Sequence, residues 1–291
     1  MKYSFYPGCA MDEGAKANLH SIKGVAKALD LELEEIADWN CCGSTVASNL
    51  VGDFTQQVLT ARNLALAEAK GHDILLACSS CYMNLAVTNK RFKEDEQFRA
   101  RANEALAAGG LHYNGTLRIR QLIEVVVQDV GFEKVARLVT NPLKGLKVAG
   151  YVGCQTVRSI PYDFDDPEQP VLMDRLIEAL GATPTDFPMR ARCCGGLSNI
   201  TARDVMLDLT YKVLESAVSG GAQVVITPCP MCQMNLDAFQ QLVEAKYKVK
   251  FNIPVLFFTQ LMAVAFGLPA EAQAFKYNIV SPHATMTQFA G

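Results

Sequence analysis

The chain has 291 residues, half of them apolar, and a formal net charge of −3. That length is enough to bury one large hydrophobic core or two modest ones. The slight negative charge gives no case for nucleic acid or a strongly anionic membrane surface as a partner. No stretch reaches the roughly 20 apolar residues of a membrane span, and the N-terminus has too few apolar residues for a signal peptide.

The first half of the chain alternates short β-rich runs with segments whose apolar residues recur at helical spacing. We expect strands at residues 2–6, 31–36 and 73–77. We expect helices at residues 19–29, 54–69, 92–108 and 117–130, the last of which closes this half.

A cluster of helix-breaking residues at 141–145 predicts a boundary between a domain of residues 1–141 and a domain of residues 142–291. The alternation then restarts, and the close of each half also repeats, since residues 121–125 resemble residues 260–264. We expect strands at 147–152 and 223–227, helices at 173–180 and 206–217, an acidic loop at 163–170, and a strand leading into a buried helix over 253–268.

Strands that alternate with helices predict an α/β fold with two homologous domains, each a small, mostly parallel sheet flanked by helices. The duplication favours two modest cores over one large one. Right-handed crossovers between parallel strands place the ends of successive strands, and the cysteines that follow them, at one edge of each sheet.

The cysteines are the clearest sign of duplication, because all ten fall into two sets of five with the same order. Each set has one cysteine after the first strand, an adjacent pair followed by glycine, and a C-x-x-C after a later strand. The first set is Cys9, Cys41, Cys42, Cys78 and Cys81; the second is Cys154, Cys193, Cys194, Cys229 and Cys232. A repeated five-cysteine pattern indicates two copies of a metal-binding unit.

Five thiolates are one more than a structural zinc site uses, whereas iron–sulfur clusters are held by thiolates. Two structural zinc sites, each with one spare thiol, remain an alternative. A more limited alternative has zinc in the N-terminal site only. A thioredoxin-type dithiol leaves the other cysteines unexplained. Adjacent cysteines are awkward partners for disulfides, so we expect a reducing cytoplasm.

These patterns resemble the B subunit of heterodisulfide reductase, whose chain carries two cysteine-rich CCG domains. The resemblance covers essentially the whole chain, and every family cysteine has a match here. The segments that carry it are PGC at 7–9, DWNCCG at 38–43, CSSC at 78–81, GC at 153–154, RCCGG at 192–196 and CPMCQMNL at 229–236.

The resemblance implies two CCG domains about a pseudo-twofold axis and two noncubane [4Fe-4S] clusters, each held by one five-cysteine set. It implies a catalytic subunit that reductively cleaves a disulfide, of the CoM-S-S-CoB type, between the two clusters. The implied partners are a ferredoxin-like C subunit with cubane [4Fe-4S] clusters and, in larger complexes, a flavoprotein A subunit. Two facing centres suit the chemistry, because a disulfide needs two electrons and a cluster passes one.

Other candidate residues surround the cysteines in sequence. Arg158, Arg190, Arg192 and Arg203 are candidates for gripping an anionic substrate, and His20 is a candidate proton donor. Ordinary surface roles are the alternative for all five. Asn84 and Asn235, which repeat within Met-Asn-Leu, are expected to donate to cluster sulfur or to cap a turn, and the methionines before them to pack on the cluster loops.

Three further functions share this type of domain. One is a sulfur-oxidising subunit that acts on a carrier-bound sulfur. Another is an electron-transfer subunit of a succinate or fumarate enzyme or of a quinone-linked oxidoreductase. The third is a zinc-stabilised assembly module. A positive pocket between the clusters favours a small anionic heterodisulfide, whereas a neutral groove favours a carrier-bound sulfur.

Overall fold

A computed structural model describes residues 1–44, 50–158 and 165–289. It contains two four-stranded, all-parallel sheets, with strand orders β2-β1-β3-β4 and β6-β5-β7-β8. The strands are β1 Lys2–Tyr6, β2 Glu32–Glu35, β3 Ile74–Leu76, β4 Ile119–Gln121, β5 Lys147–Gly150, β6 Thr183–Pro184, β7 Val224–Thr227 and β8 Val255–Phe257. The identical strand order in both halves confirms the predicted α/β duplication.

Helices connect and flank these strands. The helices of the first half are α1 Cys9–Asp12, α2 Lys16–Ala28, α3 Gly52–Glu68, α4 Ser79–Glu94, α5 Glu96–Ala107, α6 Leu122–Glu124, a π-helix Val125–Val130 and α7 Phe132–Arg137. Those of the second half are α8 Cys154–Val157, α9 Leu172–Ala179, α10 Ser198–Thr201, α11 Arg203–Ser219, α12 Pro230–Asp237, α13 Gln240–Tyr247, α14 Phe258–Ala265, α15 Ala270–Gln273, a 3₁₀-helix Phe275–Tyr277 and α16 His283–Met286. No helix within the described ranges is long and apolar enough to cross a membrane.

The two halves share their largest hydrophobic core instead of forming two separate cores as expected. This core joins Phe5 and Val126 of the first half to Val148 and Phe258 of the second. Each half also keeps an outer cluster on the far side of its own sheet. Because each sheet is covered on both faces, its inner strands β1, β3, β5 and β7 are largely buried. The edge strand β2, Glu-Leu-Glu-Glu, is charged and partly exposed.

Packing across the centre is reciprocal. Helix α2 of the first half packs on α14 and α15 of the second, and α9 of the second packs on α7 of the first. Near the cysteines, α4 meets α8 while α1 meets α12. Equivalent elements therefore exchange contacts, which is the arrangement that a pseudo-twofold axis produces.

Two elements differ from their predictions. The helix expected at 92–108 spans two helices, because α4 ends at Glu94 and α5 begins at Glu96. Residues 117–130 are not a single helix: β4 comes first and joins the first sheet, and α6 and the π-helix follow. The junction of β4 with α6 matches that of β8 with α14, which puts Glu124, and not Gln121, at the position of Gln260. The repeat of 121–125 and 260–264 seen in the sequence is thus shifted by almost one helical turn.

Two other expectations need comment. The short strand β6 was not predicted. The acidic loop expected at 163–170 begins outside the described residues, and from Asp165 onward its carboxylates accept hydrogen bonds from backbone N–H groups of the same loop. The domain boundary after residue 141 remains a prediction.

Candidate metal centre

The cysteines are placed by the ends of the central strands. Cys9 and Cys78 follow β1 and β3, and Cys154 and Cys229 follow β5 and β7, each at the start of a helix. Hydrogen bonds from neighbouring thiols, together with burial, raise the pKa of Cys9, Cys78 and Cys154, whereas hydrogen bonds from Cys232 and Cys78 lower the pKa of Cys229. All ten cysteines are free thiols.

The thiols lie in close contact. The Sγ–Sγ distances are 3.8 Å for Cys9 and Cys41, and 3.4 Å for Cys42 and Cys81. In the second set, Cys194 and Cys232 are 3.6 Å apart. Cys78 and Cys229 also lie within hydrogen-bonding reach of each other across the two halves. The two cysteine sets therefore form one continuous thiol group at the centre of the molecule.

Contact between two thiols lowers the pKa of one and raises the pKa of the other. A hydrogen bond from Cys154 lowers the pKa of Cys193 to about 6, and a hydrogen bond from the Gly195 N–H, 3.3 Å away, acts in the same direction against burial. The same contact with Cys193, together with burial, raises the pKa of Cys154. Such a pair holds one thiolate readily, and a bound metal displaces the remaining proton.

Each set of five surrounds its own cavity. The C-terminal cavity, about 360 Å³, is lined by all five cysteines of the second set, and residues of the first half complete its wall. The N-terminal cavity, about 210 Å³, is lined by all five cysteines of the first set. Ser44, Ser80, Leu197 and Met231 line both cavities. The cavities are therefore neighbours that share one wall.

Side chains cross from each half to the other cavity. Met83 of the first half lines the C-terminal cavity, and Met234 of the second lines the N-terminal cavity. The methionines do pack at the cysteine loops, as expected, but at the loops of the opposite half. Each cavity is consequently complete only when both halves are present.

The lining differs between the cavities. Gln56, Ser79, Asn84, Gln155 and Thr156 give the C-terminal cavity hydroxyl and amide groups. In the N-terminal cavity, alanine, proline and methionine side chains occupy much of the wall. Neither lining contains a lysine, arginine, histidine, aspartate or glutamate among the residues that the structure describes.

Two buried polar side chains in each half hold the carbonyl of the second cysteine of the adjacent pair. Asn84 Nδ2 and Thr60 Oγ1 each donate to the Cys42 carbonyl at 3.0 Å. Asn235 Nδ2 and Thr210 Oγ1 donate to the equivalent Cys194 carbonyl, at 3.2 and 3.1 Å. Asn235 Nδ2 also lies 3.6 Å from the sulfur of Cys194. Donation by these asparagines to cluster sulfur remains a prediction.

A buried tyrosine fixes the residue before each adjacent cysteine pair. The Tyr6 hydroxyl donates to the Asn40 carbonyl at 2.8 Å, and the Tyr151 hydroxyl to the Arg192 carbonyl at 2.6 Å. Burial raises the pKa of both hydroxyls, so they remain protonated donors. Sequence reasoning missed these tyrosines and the supporting threonines; the repeated Tyr-x-Gly-Cys at both β-strand ends was the available sign.

The arginines lie away from the cavities. Arg158 pairs with Glu168 at 2.8 Å, and Arg190 pairs with Asp174. Arg192 and Arg203 are exposed. Their predicted contact with substrate remains a prediction, and none of the four is among the described residues that line either cavity.

His20 also lies outside both linings. It stacks on Tyr277, with ring centroids 5.4 Å apart, on the outer side of α2. Its predicted role as a proton donor has no structural contact with the cysteines to support it.

The donor set fits a polynuclear iron–sulfur cluster. Five soft thiol ligands surround each cavity, and glycine backbone faces them: a Cβ at Gly8 would lie 3.1 Å from Cys81 Sγ, and one at Gly153 3.2 Å from Cys232 Sγ. Within the described ranges, no three histidine, cysteine, aspartate or glutamate side chains are arranged to hold a single metal ion. A polynuclear cluster held at the cysteine side of each cavity matches this spread of thiols better than one zinc ion.

Comparison with protein families identifies the fold. The model of the CCG cysteine-rich domain matches residues 3–86 and again residues 148–237. The chain belongs to the CCG cysteine-rich domain family. Both matches contain one complete five-cysteine set, so the predicted pair of CCG domains and the resemblance to the B subunit of heterodisulfide reductase are confirmed.

Curated relatives align along nearly their whole length. The 8-methylmenaquinol:fumarate reductase membrane anchor subunit of Wolinella succinogenes is 34% identical, with 96% of this chain and 97% of that protein covered. The B subunit of the ferredoxin:CoB-CoM heterodisulfide reductase of Methanosarcina mazei is 29% identical, with 96% and 94% covered. A protein of Archaeoglobus profundus, named as similar to the heterodisulfide reductase B subunit, is 30% identical, with 94% and 93% covered.

A solved structure shares the fold at low identity. The crystal structure of a hypothetical protein from Helicobacter pylori matches 96% of this chain with a TM-score of 0.78 and 16% identity. This chain spans about half of that protein, 52% of its length. The likeness concerns the fold alone.

Proposed function

We propose that this CCG-family oxidoreductase subunit reductively cleaves a disulfide between two noncubane [4Fe-4S] clusters. The observation that carries the proposal is the pair of adjoining cavities, each surrounded by one five-cysteine set. A substrate in their shared wall region contacts both thiol groups at once, which a two-electron reaction of one-electron centres requires.

The cysteines of each set would hold one cluster, with the Asn–Thr pairs and the two tyrosines fixing the loops that carry them. When bound, each cluster supplies one electron to the substrate. The hydroxyl and amide groups of the C-terminal cavity are placed to orient the substrate and keep its sulfurs near the shared wall. No cofactor fingerprint for nicotinamide or flavin occurs in the sequence, so the electrons come from a partner.

For that partner we propose a ferredoxin-like C subunit with cubane [4Fe-4S] clusters, supplied in larger complexes by a flavoprotein A subunit, in the cytoplasm. The names of the Methanosarcina mazei and Archaeoglobus profundus relatives, one a B subunit and the other similar to one, support membership of a multi-subunit reductase. A sulfur-oxidising complex acting on a carrier-bound sulfur would use the same centres in the opposite direction.

A second function is favoured by one comparison. The Wolinella succinogenes relative belongs to a menaquinol-linked fumarate reductase and is 34% identical over nearly the full length of both chains. On this proposal the two clusters pass electrons between a quinone-linked pathway and a partner enzyme, and no disulfide is bound.

Metal analysis of protein purified without oxygen tests the shared part of both proposals. About eight iron and eight sulfide per chain are expected if both sets hold [4Fe-4S] clusters. About four iron with one zinc would leave one redox site and contradict two-site disulfide cleavage. Zinc without sulfide would support the assembly-module alternative.

A stopped-flow experiment separates the two functions. The holoprotein is reduced with a viologen and mixed with either a small disulfide or a menaquinone analogue. Oxidation of both clusters by the disulfide, with two thiols formed per two electrons, supports the first function. Oxidation by the quinone alone, with the disulfide inert, supports the second.

A further inference from the structure

We propose that the C-terminal cavity selects disulfides whose sulfur-bound groups are uncharged and hydrogen-bonding, and disfavours those carrying sulfonate, carboxylate or phosphate groups. The inference rests on the proposed disulfide cleavage and adds to it the chemical class of the substrate. It separates this chain from a site built for a small polyanionic heterodisulfide.

The first observation is the lack of positive charge in the described lining of either cavity. Residues 45–49 and 159–164, which lie outside the described ranges, contain no lysine, arginine or histidine in the sequence. Among the described residues, the walls of the two cavities therefore offer no cation to an anionic substrate group.

The second observation concerns the cations nearest in sequence to the cysteines. Arg158 and Arg190 are paired with carboxylates, and Lys16 pairs with Glu13 at 3.3 Å. In these pairs the protein's own carboxylates already neutralise the cations. A substrate anion would have to break these pairs to use the three cations that they contain. Arg192, next to Cys193, is exposed and is not among the described residues that line either cavity.

The electrostatic cost follows from these placements. An anion that enters a cavity loses hydration, and an unpaired buried charge is costly. A [4Fe-4S] cluster with five thiolate ligands would carry a net negative charge and increase that cost, because like charges repel strongly at low effective dielectric. An uncharged substrate avoids both terms.

The polar lining supplies the recognition that charge does not. Ser44, Gln56 and Gln155 face the C-terminal cavity. The side-chain amide of Gln56 makes no hydrogen bond within the described ranges, so it is free to bind a hydroxyl or amide of the substrate. Of the other two lining amides, Asn84 already donates its nitrogen to the Cys42 carbonyl, and the Gln155 oxygen accepts from the Ser80 hydroxyl.

The reaction on such a substrate balances with a one-electron carrier of the ferredoxin class as reductant. Two carrier molecules give up one electron each, the S–S bond breaks, and each sulfur leaves with one electron added. Two protons from water complete two neutral thiols.

Three disulfides of equal chain length test the selectivity: the bis(2-hydroxyethyl), bis(2-carboxyethyl) and bis(2-sulfoethyl) compounds. Binding to the oxidised holoprotein is measured by the shift of its thermal unfolding midpoint, and reaction by the rate of cluster oxidation. We expect the hydroxyethyl compound to bind at least about tenfold more tightly than either anion, with little dependence on salt.

A variant with an added charge makes the test more direct. Gln56→Lys puts a cation in the C-terminal cavity and is expected to improve binding of both anionic disulfides at least about tenfold, in a salt-dependent manner. The matched control Thr55→Lys adds the same charge at the preceding residue, which is exposed and outside the lining. This variant should keep the original selectivity.

Tighter binding of the anionic disulfides to the unmodified holoprotein would overturn the proposed selectivity while leaving disulfide cleavage intact. Failure of all three compounds to bind or to oxidise the clusters would overturn disulfide cleavage itself, and the selectivity with it. A gain in Thr55→Lys equal to that in Gln56→Lys would show that general surface charge, and not the cavity, controls binding, and would also overturn the inference.

Discussion

Replacing the two loop-fixing tyrosines by phenylalanine should have unequal effects. Each replacement removes only a hydroxyl and keeps the ring packed in the core, so no cavity forms. In the first half, the Asn40 carbonyl keeps a second donor, Asn63 Nδ2, at 2.9 Å. In the second, the Arg192 carbonyl has no second donor in the parts of the chain that the structure describes, so Tyr151→Phe leaves it without a protein partner.

The sizes follow from hydrogen-bond energetics. Loss of a bond whose acceptor stays satisfied costs about 0.5–1 kcal/mol, whereas leaving an acceptor unpaired costs about 1–3 kcal/mol. For a chain of this length, 1 kcal/mol lowers the unfolding midpoint by about 2 °C. We therefore expect decreases of about 1–2 °C for Tyr6→Phe and about 2–6 °C for Tyr151→Phe.

Circular dichroism of the anaerobic holoprotein at one fixed scan rate measures these midpoints, and iron content per chain confirms equal loading. Removing the second donor supplies the control. In an Asn63→Leu background, Tyr6→Phe should cost as much as Tyr151→Phe does in the unmodified chain, because the two residues share one acceptor. Equal decreases for the two single variants, or a larger one for Tyr6→Phe, would refute the reasoning.

Three further changes have defined outcomes. Gly153→Ala should reduce iron content in the second site, while Gly131→Ala, with the same positive φ but no atom within 4 Å of the added Cβ, should lose only stability. Ser79→Ala and Thr156→Val remove a 2.8 Å hydrogen bond between the halves, and a double-mutant cycle of unfolding free energies should give a coupling of about 1 kcal/mol, whereas zero coupling would show the contact is unimportant. Burial raises the pKa of Glu68, but hydrogen bonds from neighbouring backbone and side chains outweigh it and the net pKa is lowered. The stability that Glu68 adds is therefore present above the ordinary glutamate pKa and lost as pH falls through the lowered one, so Glu68→Gln should destabilise by about 1 kcal/mol at pH 7 and progressively less in acid.

The sequence was sufficient for the local organisation of the cysteines. Their order, the glycines beside them and the runs before Cys78 and Cys229 predicted parallel strands that end in thiols, and the structure confirms those strands. This works because the information is local: a strand is short and apolar, and the residue after it must leave the sheet edge.

The register of the closing repeat was beyond the sequence for a physical reason. Leucine, isoleucine and valine dominate residues 119–127, and an apolar helical pattern matches itself after a shift of three or four residues. The strand β4 is marked by its pairing with β3, a contact between residues that are distant in sequence. No periodicity within a short apolar run separates a strand from the helix after it.

The meeting of the two sets was equally hidden, since it depends on how the halves pack. Neither C-x-x-C motif indicates that Cys78 and Cys229 approach each other. Neither indicates that Met83 and Met234 each line the cavity of the opposite half. The arginines were predicted to lie at the site only because they are close to the cysteines in sequence. Two of them instead form ion pairs with acidic residues: Arg158 with Glu168 of the loop, and Arg190 with Asp174 of the helix α9.

Duplication explains why the two cavities are supported alike and lined differently. The positions that hold the loops are the same in both halves, tyrosine with tyrosine, threonine with threonine and asparagine with asparagine, because the backbone geometry of five thiols leaves little choice. The positions that face the cavities have diverged: Ser79 and Ser80 of one C-x-x-C correspond to Pro230 and Met231 of the other. A site assembled from two such halves presents a polar wall on one side and an apolar wall on the other. On the proposed disulfide cleavage, the polar wall would face the hydrogen-bonding substituent of the substrate, and no charge would be needed to orient it.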